Sequence, residues 1–209
     1  MSAEKASRLP VEPPLANPPA VPAVPGMAKG VNFVNVRAFA ETRFGDAGGW
    51  PALVSALGDE DRAAIEGTLA VGWYPLSLYT RLLHKLDATF GSGDLAIPYA
   101  LGLFAAEHDL NTLHRAFMRL ATPMFLLQKS ADFWHRYYDS GRWVIERAGA
   151  KHAVGHLEEW GEPDAVLCRE VRGYLTRTFE LTGARQVTMQ HTACRARGDA
   201  RCTFVGRWS

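Results

Sequence analysis

The sequence is poor in the features that mark the specialised protein classes. Cysteine is scarce, three in 209 residues, an odd number that closes no disulfide framework. Neither sign of charge is in excess. Lys and Arg total 23 against 22 Asp and Glu, a net charge of +1, which leaves no electrostatic footprint for a nucleic acid. Long apolar runs are missing as well. The longest, 95–106, is twelve residues and contains Pro98 and Gly102, where a membrane-spanning helix needs about twenty. No apolar stretch follows the charged residues at the start, so no export signal is expected, and reduced thiols in a cytoplasmic setting are the expectation. GxSxG, Walker and HExxH motifs and a dinucleotide fingerprint are absent. Glu158 and Glu159 are neighbours on one expected strand, so they face opposite sides and cannot work as a paired acid and base. No enzyme is expected.

What remains is globular in composition, with 47% apolar and 22% charged residues. Proline is the exception to an even spread. Seven of the twelve fall in residues 1–27, which predicts an extended, solvated tail, removed altogether if translation starts at Met27. A protein partner recruited through this proline-rich tail is the functional reading of it. Residues 28–209 are then one domain of α+β class, a helical half at 28–139 followed by 140–209.

The periodicity supports that division. Phe33, Val36, Ala40 and Phe44 recur at helical steps until Gly45. A short helix is expected from Pro51 to Gly58, and another, capped by Asp59, running through Ile65 and Leu69. Pro75 opens a stripe of Leu76, Tyr79, Leu83, Leu86 and Phe90. The run after Asp94 reads as a buried core helix. Further stripes are Leu110, Leu113, Phe117 and Leu120, then Leu127, Ala131, Trp134 and Tyr138 after a Thr122-Pro123 start. Past Gly141 the period shortens. Two strands near 143–147 and 154–158, a helix from Asp164 to Gly183 with Leu167, Val171 and Tyr174 inward, and strands at 186–194 and 201–208 complete the chain. The prediction is a four-stranded antiparallel sheet in strand-strand-helix-strand-strand order, the crossover helix on one face.

The cysteines collect at this end. Cys194 and Cys202 flank a hairpin turn in which Gly198 can take a positive φ; Cys168 lies on the preceding helix, and His191 three residues before Cys194. A Cys₃His set suits zinc, and its closed shell makes the role structural. One objection stands: residues three apart on an unbroken strand face opposite ways, so His191 and Cys194 share a metal only if the strand ends or bulges near 192–193. Spacing alone equally allows three unrelated thiols and an unligated histidine.

These motifs resemble the 4-vinyl reductase family, which includes the sensor domains of phenol-responsive activators. There a cysteine is followed by Gly-Tyr, here Cys168 with Gly173 and Tyr174. Glu-x-x-Cys and Gly-Asp-x-x-Cys follow, here Cys194, Gly198-Asp199 and Cys202. In that family three cysteines and the glutamate hold structural zinc; this chain has His191 in the glutamate's place. The wider layout, including Lys29 to Phe33, also resembles a myxobacterial paralogous group similar to haem nitric-oxide-binding and Bet3-like folds. The resemblance implies a homodimer and an apolar pocket for a small apolar or aromatic molecule. Candidate lining residues are Phe117, Phe125, Phe133, Trp134 and Tyr174, all equally placed for core packing.

Tyr138-x-Ser140-x-Arg142 is similar to the Tyr-x-Ser-x-Arg motif of haem nitric-oxide sensors, with His108 and His114 upstream. Here it ends a helix and opens a strand, whereas in those proteins it lies on a later strand that runs into the next helix. The sequence reading therefore goes against haem, and a haem-based gas sensor is its weakest alternative. The reading that results is a small-molecule sensor or adaptor with structural zinc; the runner-up is a dimeric interaction scaffold without a pocket ligand.

Overall fold

The computed structural model describes residues 25–110, 125, 129 and 132–209. The first element is β1 (Met27–Lys29), paired antiparallel with β2 (Trp73–Pro75). Gly26 O accepts from Leu76 N, and Met27 N donates to Asp139 Oδ1 at 2.7 Å, which ties the start of the domain to two distant segments. The helical half follows as α1 (Gly30–Phe44), α2 (Gly49–Ser55), α3 (Asp59–Glu66), α4 (Leu76–Phe90) and α5 (Ala96–Leu110).

Most of the apolar stripe residues read from the sequence in the described helices are buried. Phe33, Val36 and Ala40 of α1 meet Tyr79, Leu82, Leu83 and Leu86 of α4 in one core, which continues through Leu101 into the sheet. Several local details differ from expectation. The helix expected from Pro51 to Gly58 runs from Gly49 to Ser55, and the one expected through Leu69 ends at Glu66 and leaves Leu69 67% exposed. Pro75 ends β2 and sits at the N-cap of α4, because a three-residue strand is too short to announce itself by alternation. Gly58, in extended backbone, takes the N-cap of α3 in place of Asp59, which joins Glu60 and Asp61 in the first turn. Tyr138 is outside any helix and bridges to Ala28. The stripe from Leu110 through Leu120 lies largely outside the described residues.

The second half is the predicted sheet: β3 (Arg142–Gly149), β4 (His152–Glu158), α6 (Ala165–Leu181), β5 (Thr188–Ala193) and β6 (Cys202–Arg207), in the order β3-β4-β6-β5, all antiparallel. Asp164 caps α6 by accepting from Val166 N at 2.8 Å. Alternation on β6 buries Cys202, Phe204 and Gly206 toward α6. α6 also crosses α5 so closely that the two backbones touch. A Cβ on Gly102 would overlap the Glu170 carbonyl oxygen, and one on Gly173 the Tyr99 carbonyl oxygen. This glycine-on-glycine crossing joins the two halves.

Candidate functional site: a thiol–imidazole cluster and a buried tyrosine–carboxylate cluster

The structure removes the objection to a shared metal. β5 ends at Ala193, the register against β6 slips between His191 and Ala193, and Cys194 lies beyond the strand. The bulge turns His191 and Cys194 to the same side. Past it, a 3₁₀ turn at Arg195–Arg197 reaches Gly198 at φ 92°, and Asp199 folds back so that its Oδ2 accepts from Cys194 N at 2.6 Å. This turn returns the chain to Cys202, and α6 delivers Cys168 from the other side.

The four ligand atoms of Cys168, His191, Cys194 and Cys202 lie within 4.8 Å of one another. Cys168 Sγ is 3.6 Å from Cys202 Sγ and 3.8 Å from Cys194 Sγ. Zinc–sulfur bonds of about 2.3 Å put two thiolates on a tetrahedral ion about 3.8 Å apart, whereas a disulfide needs about 2.05 Å. All three thiols are buried and unbridged. The His191 ring stacks on Phe204 at 4.5 Å, and its Nε2 is buried with no hydrogen-bond partner. An orphaned imidazole nitrogen beside three sulfurs is the donor set a zinc ion completes.

The thiols divide their protons unequally. Hydrogen bonds from Cys168 and Cys202, with a smaller contribution from the nearby His191 ring, lower the Cys194 pKa despite burial, while Cys168, hydrogen-bonded to Cys194 and Cys202 and buried, is pushed well up. The Cys168 hydrogen bond pulls Cys202 down, but donation to Cys194 and burial outweigh it and push it up to about 12. Three thiols sharing hydrogen bonds are a set that a dication can take over by displacing protons.

The second cluster lies at the junction of the halves and is one that sequence reasoning misses. Glu170, 5% exposed, accepts from Tyr138 Oη at 3.2 Å and is also hydrogen-bonded to Tyr79. Burial, followed by the charge of Asp109, raises the Glu170 pKa to about 7 although both hydroxyls act to lower it. Asn35 Nδ2 donates to Asp109 Oδ1 at 3.0 Å, and His108 Nδ1 lies 3.1 Å from Asn35 Oδ1. Tyr174 Oη donates to Tyr137 Oη at 3.3 Å, and burial, with Asp109 nearby, pushes the Tyr137 hydroxyl well up, out of reach of physiological ionisation. One signal for this cluster is available in the sequence: Glu170 falls on the inward face of α6, between Leu167 and Val171.

The candidate pocket residues separate. Trp134 is buried, donates from Nε1 to Ser140 O at 2.7 Å, and packs on Tyr138 and Trp160 at 4.5 and 5.0 Å between ring centres. Tyr174 belongs to the junction cluster. Phe125 and Phe133 are 46% and 38% exposed. Phe117 and His114 lie outside the described residues.

Tyr138, Ser140 and Arg142 do not converge. Tyr138 turns inward to Glu170; Ser140 Oγ accepts from Gly161 N at 3.2 Å; Arg142 pairs with Glu158 at 2.7 Å on the exposed side. Held this way they form no cradle for a pair of propionates. His108, at the end of α5, has an exposed side chain with Nδ1 on Asn35.

No family model matches the chain, and no curated protein matches it. Solved structures do. An H-NOX protein from S. oneidensis in the Fe(II)NO ligation state is 12% identical, with 87% of this chain and 99% of that chain covered at a TM-score of 0.67. The unliganded Fe(II) H-NOX protein from K. algicida is 16% identical, covering 87% and 96% at 0.60. The H-NOX from Shewanella woodyi, bound to IWP-051 in the Fe(II)CO state, is 16% identical, covering 86% and 94% at 0.62. The 4-vinyl reductase resemblance is not shown by these matches, although the wider superfamily is compatible with them. The expectation against haem is overturned. It rested on the topological place of one triplet, whereas the architecture as a whole is one that iron-bearing H-NOX proteins use. Over nearly its whole described length, this chain has the fold of H-NOX proteins.

Proposed function

We propose that this protein is a small-molecule sensor module in which a zinc ion pins the C-terminal hairpin to α6. The observation that carries the zinc assignment is the orphaned His191 Nε2 beside three sulfurs spaced like the edges of a tetrahedral site. With four protein ligands the ion has no open position, so its work is to fix Cys168, and with it α6, against β5 and β6. The sensing element is the junction cluster. Hydroxyls and carboxyls converging inside an otherwise apolar core are what a binding site uses to orient an apolar or aromatic ligand. α6 carries both Cys168 and Glu170, so the metal holds the helix from which the polar groups project. A homodimer, as in the family the sequence resembles, would let a ligand-driven shift of this helix reach a second copy.

Native mass spectrometry with elemental analysis, on protein purified without a histidine tag or chelators, tests the reading. One zinc per chain and an organic molecule released on denaturation are the expected results. Folded, metal-free protein would remove the zinc, and a chain mass with no adduct from any ligand panel would remove the sensor.

The fold favours a second reading, haem-based gas sensing. Haem would supply an iron that binds a diatomic gas. Tyr138, Ser140 and Arg142 do not fit its propionates as they stand, so that reading needs other residues to hold the group. A Soret band in protein expressed with haem precursor, shifted by nitric oxide, is its test.

A further inference from the structure

A groove apart from both clusters lies on the outer face of the helical half. With a volume of about 410 Å³, it opens between the turn after α2 and the solvent side of α4. Leu57, Gly58 and Ala88 give it an apolar surface, and α4 contributes Arg81, His84 and Lys85. Positions 81, 84, 85 and 88 share one helical face, roughly opposite the buried face of Leu82, Leu83 and Leu86. The volume is near the lower end of the range for small-molecule pockets.

The three cations have different duties. Asp61 holds Arg81 with two bonds, Nε to Oδ2 at 2.8 Å and Nη2 to Oδ1 at 2.7 Å, so this arginine is a neutralised wall. His84 Nε2 lies 3.0 and 2.9 Å from the two oxygens of Asp164, the capping residue of α6. That hydrogen bond favours the imidazolium, whose second N–H is then also a donor. Lys85 is half-buried and forms no ion pair among the described residues. Arg81 is thus matched by Asp61 and His84 by Asp164, which leaves Lys85 as the lining cation with no ion pair among the described residues, beside an apolar floor.

We propose that this groove binds a small organic carboxylate, its apolar body on Leu57 and Ala88 and its carboxylate on Lys85 and His84. One uncommitted ammonium and one N–H match a singly charged planar head group. An inorganic phosphate would leave the floor uncovered and lack donors for its remaining oxygens. The site stands apart from the thiol and tyrosine clusters, and does not depend on the sensor reading.

Amide NMR of the full chain decides it, titrated separately with 4-phenylbutyrate, its neutral isostere 4-phenylbutyramide, and inorganic phosphate. The carboxylate should shift the Gly58 and Ala88 amides saturably, and the amide and phosphate should bind several-fold more weakly. Lys85→Gln should weaken the carboxylate by about fivefold, the upper end for a partly screened ion pair, while Lys85→Arg retains it. Both substitutions are on a solvent-facing position and leave the core intact. Equal binding of the amide or of phosphate, shifts confined to other residues, unchanged affinity in Lys85→Gln, or no saturable binding of the carboxylate would each overturn the proposal.

Discussion

The thiol–imidazole cluster and the tyrosine–carboxylate cluster sit on the same helix and solve opposite problems. Around Cys168, four ligand atoms converge within 4.8 Å and one imidazole nitrogen is left over. Around Glu170, hydroxyls spread the hydrogen bonding over several elements, and the carboxyl is accommodated by a raised pKa and by two tyrosine partners. The first arrangement has the donor set and spacing for one ion; the second has adaptable polarity without a fixed stoichiometry. On the proposed reading, the contrast is a division of labour along α6, with the metal cluster at Cys168 and the ligand-responsive cluster two residues further on at Glu170.

The strongest way to break that division is at the thiols. Cys194→Ser and Cys202→Ser should each abolish zinc binding and cost roughly 4 kcal/mol, a part of the 10–16 kcal/mol that zinc contributes in small peptides. At about 2–4 °C per kcal/mol for a chain of this size, the melting temperature should fall by roughly 10 °C. His191→Ala should cost less, because water can take the fourth position. Full zinc content in either serine variant would dissolve the cluster as a metal site.

Next in size is the crossing of α5 and α6. Gly173→Ala places a methyl on the Tyr99 carbonyl oxygen, which no side-chain rotation relieves. Overpacking of this kind costs about 3 kcal/mol. The helices must separate between Glu170 and Tyr174, so ligand binding at the junction should be lost while zinc content stays at the wild-type level. Loss of zinc together with stability would show the two clusters to be one cooperative unit. Smaller again is Tyr138→Phe, which keeps the ring and removes one donor to a buried carboxyl. A stability lowered by about 1–2 kcal/mol in denaturant titration, with unchanged slope, is the expected result.

These two clusters also mark the limit of what the sequence reveals. The cysteine set is compact in the chain: three of its members lie within twelve residues, on a hairpin whose Gly198-Asp199 turn is itself readable. Even the face-reversal at His191 can be stated as a geometric condition, and the bulge meets it. The tyrosine–carboxylate set draws on Asn35, Tyr79, Asp109, Tyr137, Tyr138, Glu170 and Tyr174, which only the tertiary fold brings together. Periodicity finds apolar faces and is silent about a polar residue placed within one. The same blindness hides β1 and β2, three residues each, and turns Pro75 into an expected helix start. The expectation against haem fails for a related reason: it rested on the position of one triplet, whereas the fold as a whole matches H-NOX structures.

The smallest effect sharpens the comparison at its boundary, where α4 of the helical half touches the cap of α6. The Asp164 hydrogen bond, aided by the charges of Asp164 and Asp87 and opposed by partial burial, raises the His84 pKa above its ordinary 6.5. A histidine with a raised folded-state pKa contributes stability in full below the unfolded value and loses it as pH rises through the folded value. Wild type should therefore exceed His84→Gln in stability at pH 6, and the gap should close as pH rises through the folded-state value. The side chain is 51% exposed, so solvent screens the pair and the gap will be modest. Zinc binding runs the other way, strengthening as thiols deprotonate with rising pH, but both proteins carry the same thiols and the difference between them cancels it. Asp164→Ala should cost more than His84→Gln at pH 6, because it removes the α6 cap as well as the pair. Thermal melts of the three proteins across this range measure it. A gap between wild type and His84→Gln that is constant with pH would mean that His84 packs against the cap without carrying charge to it, and the boundary between the halves would then be insensitive to protons.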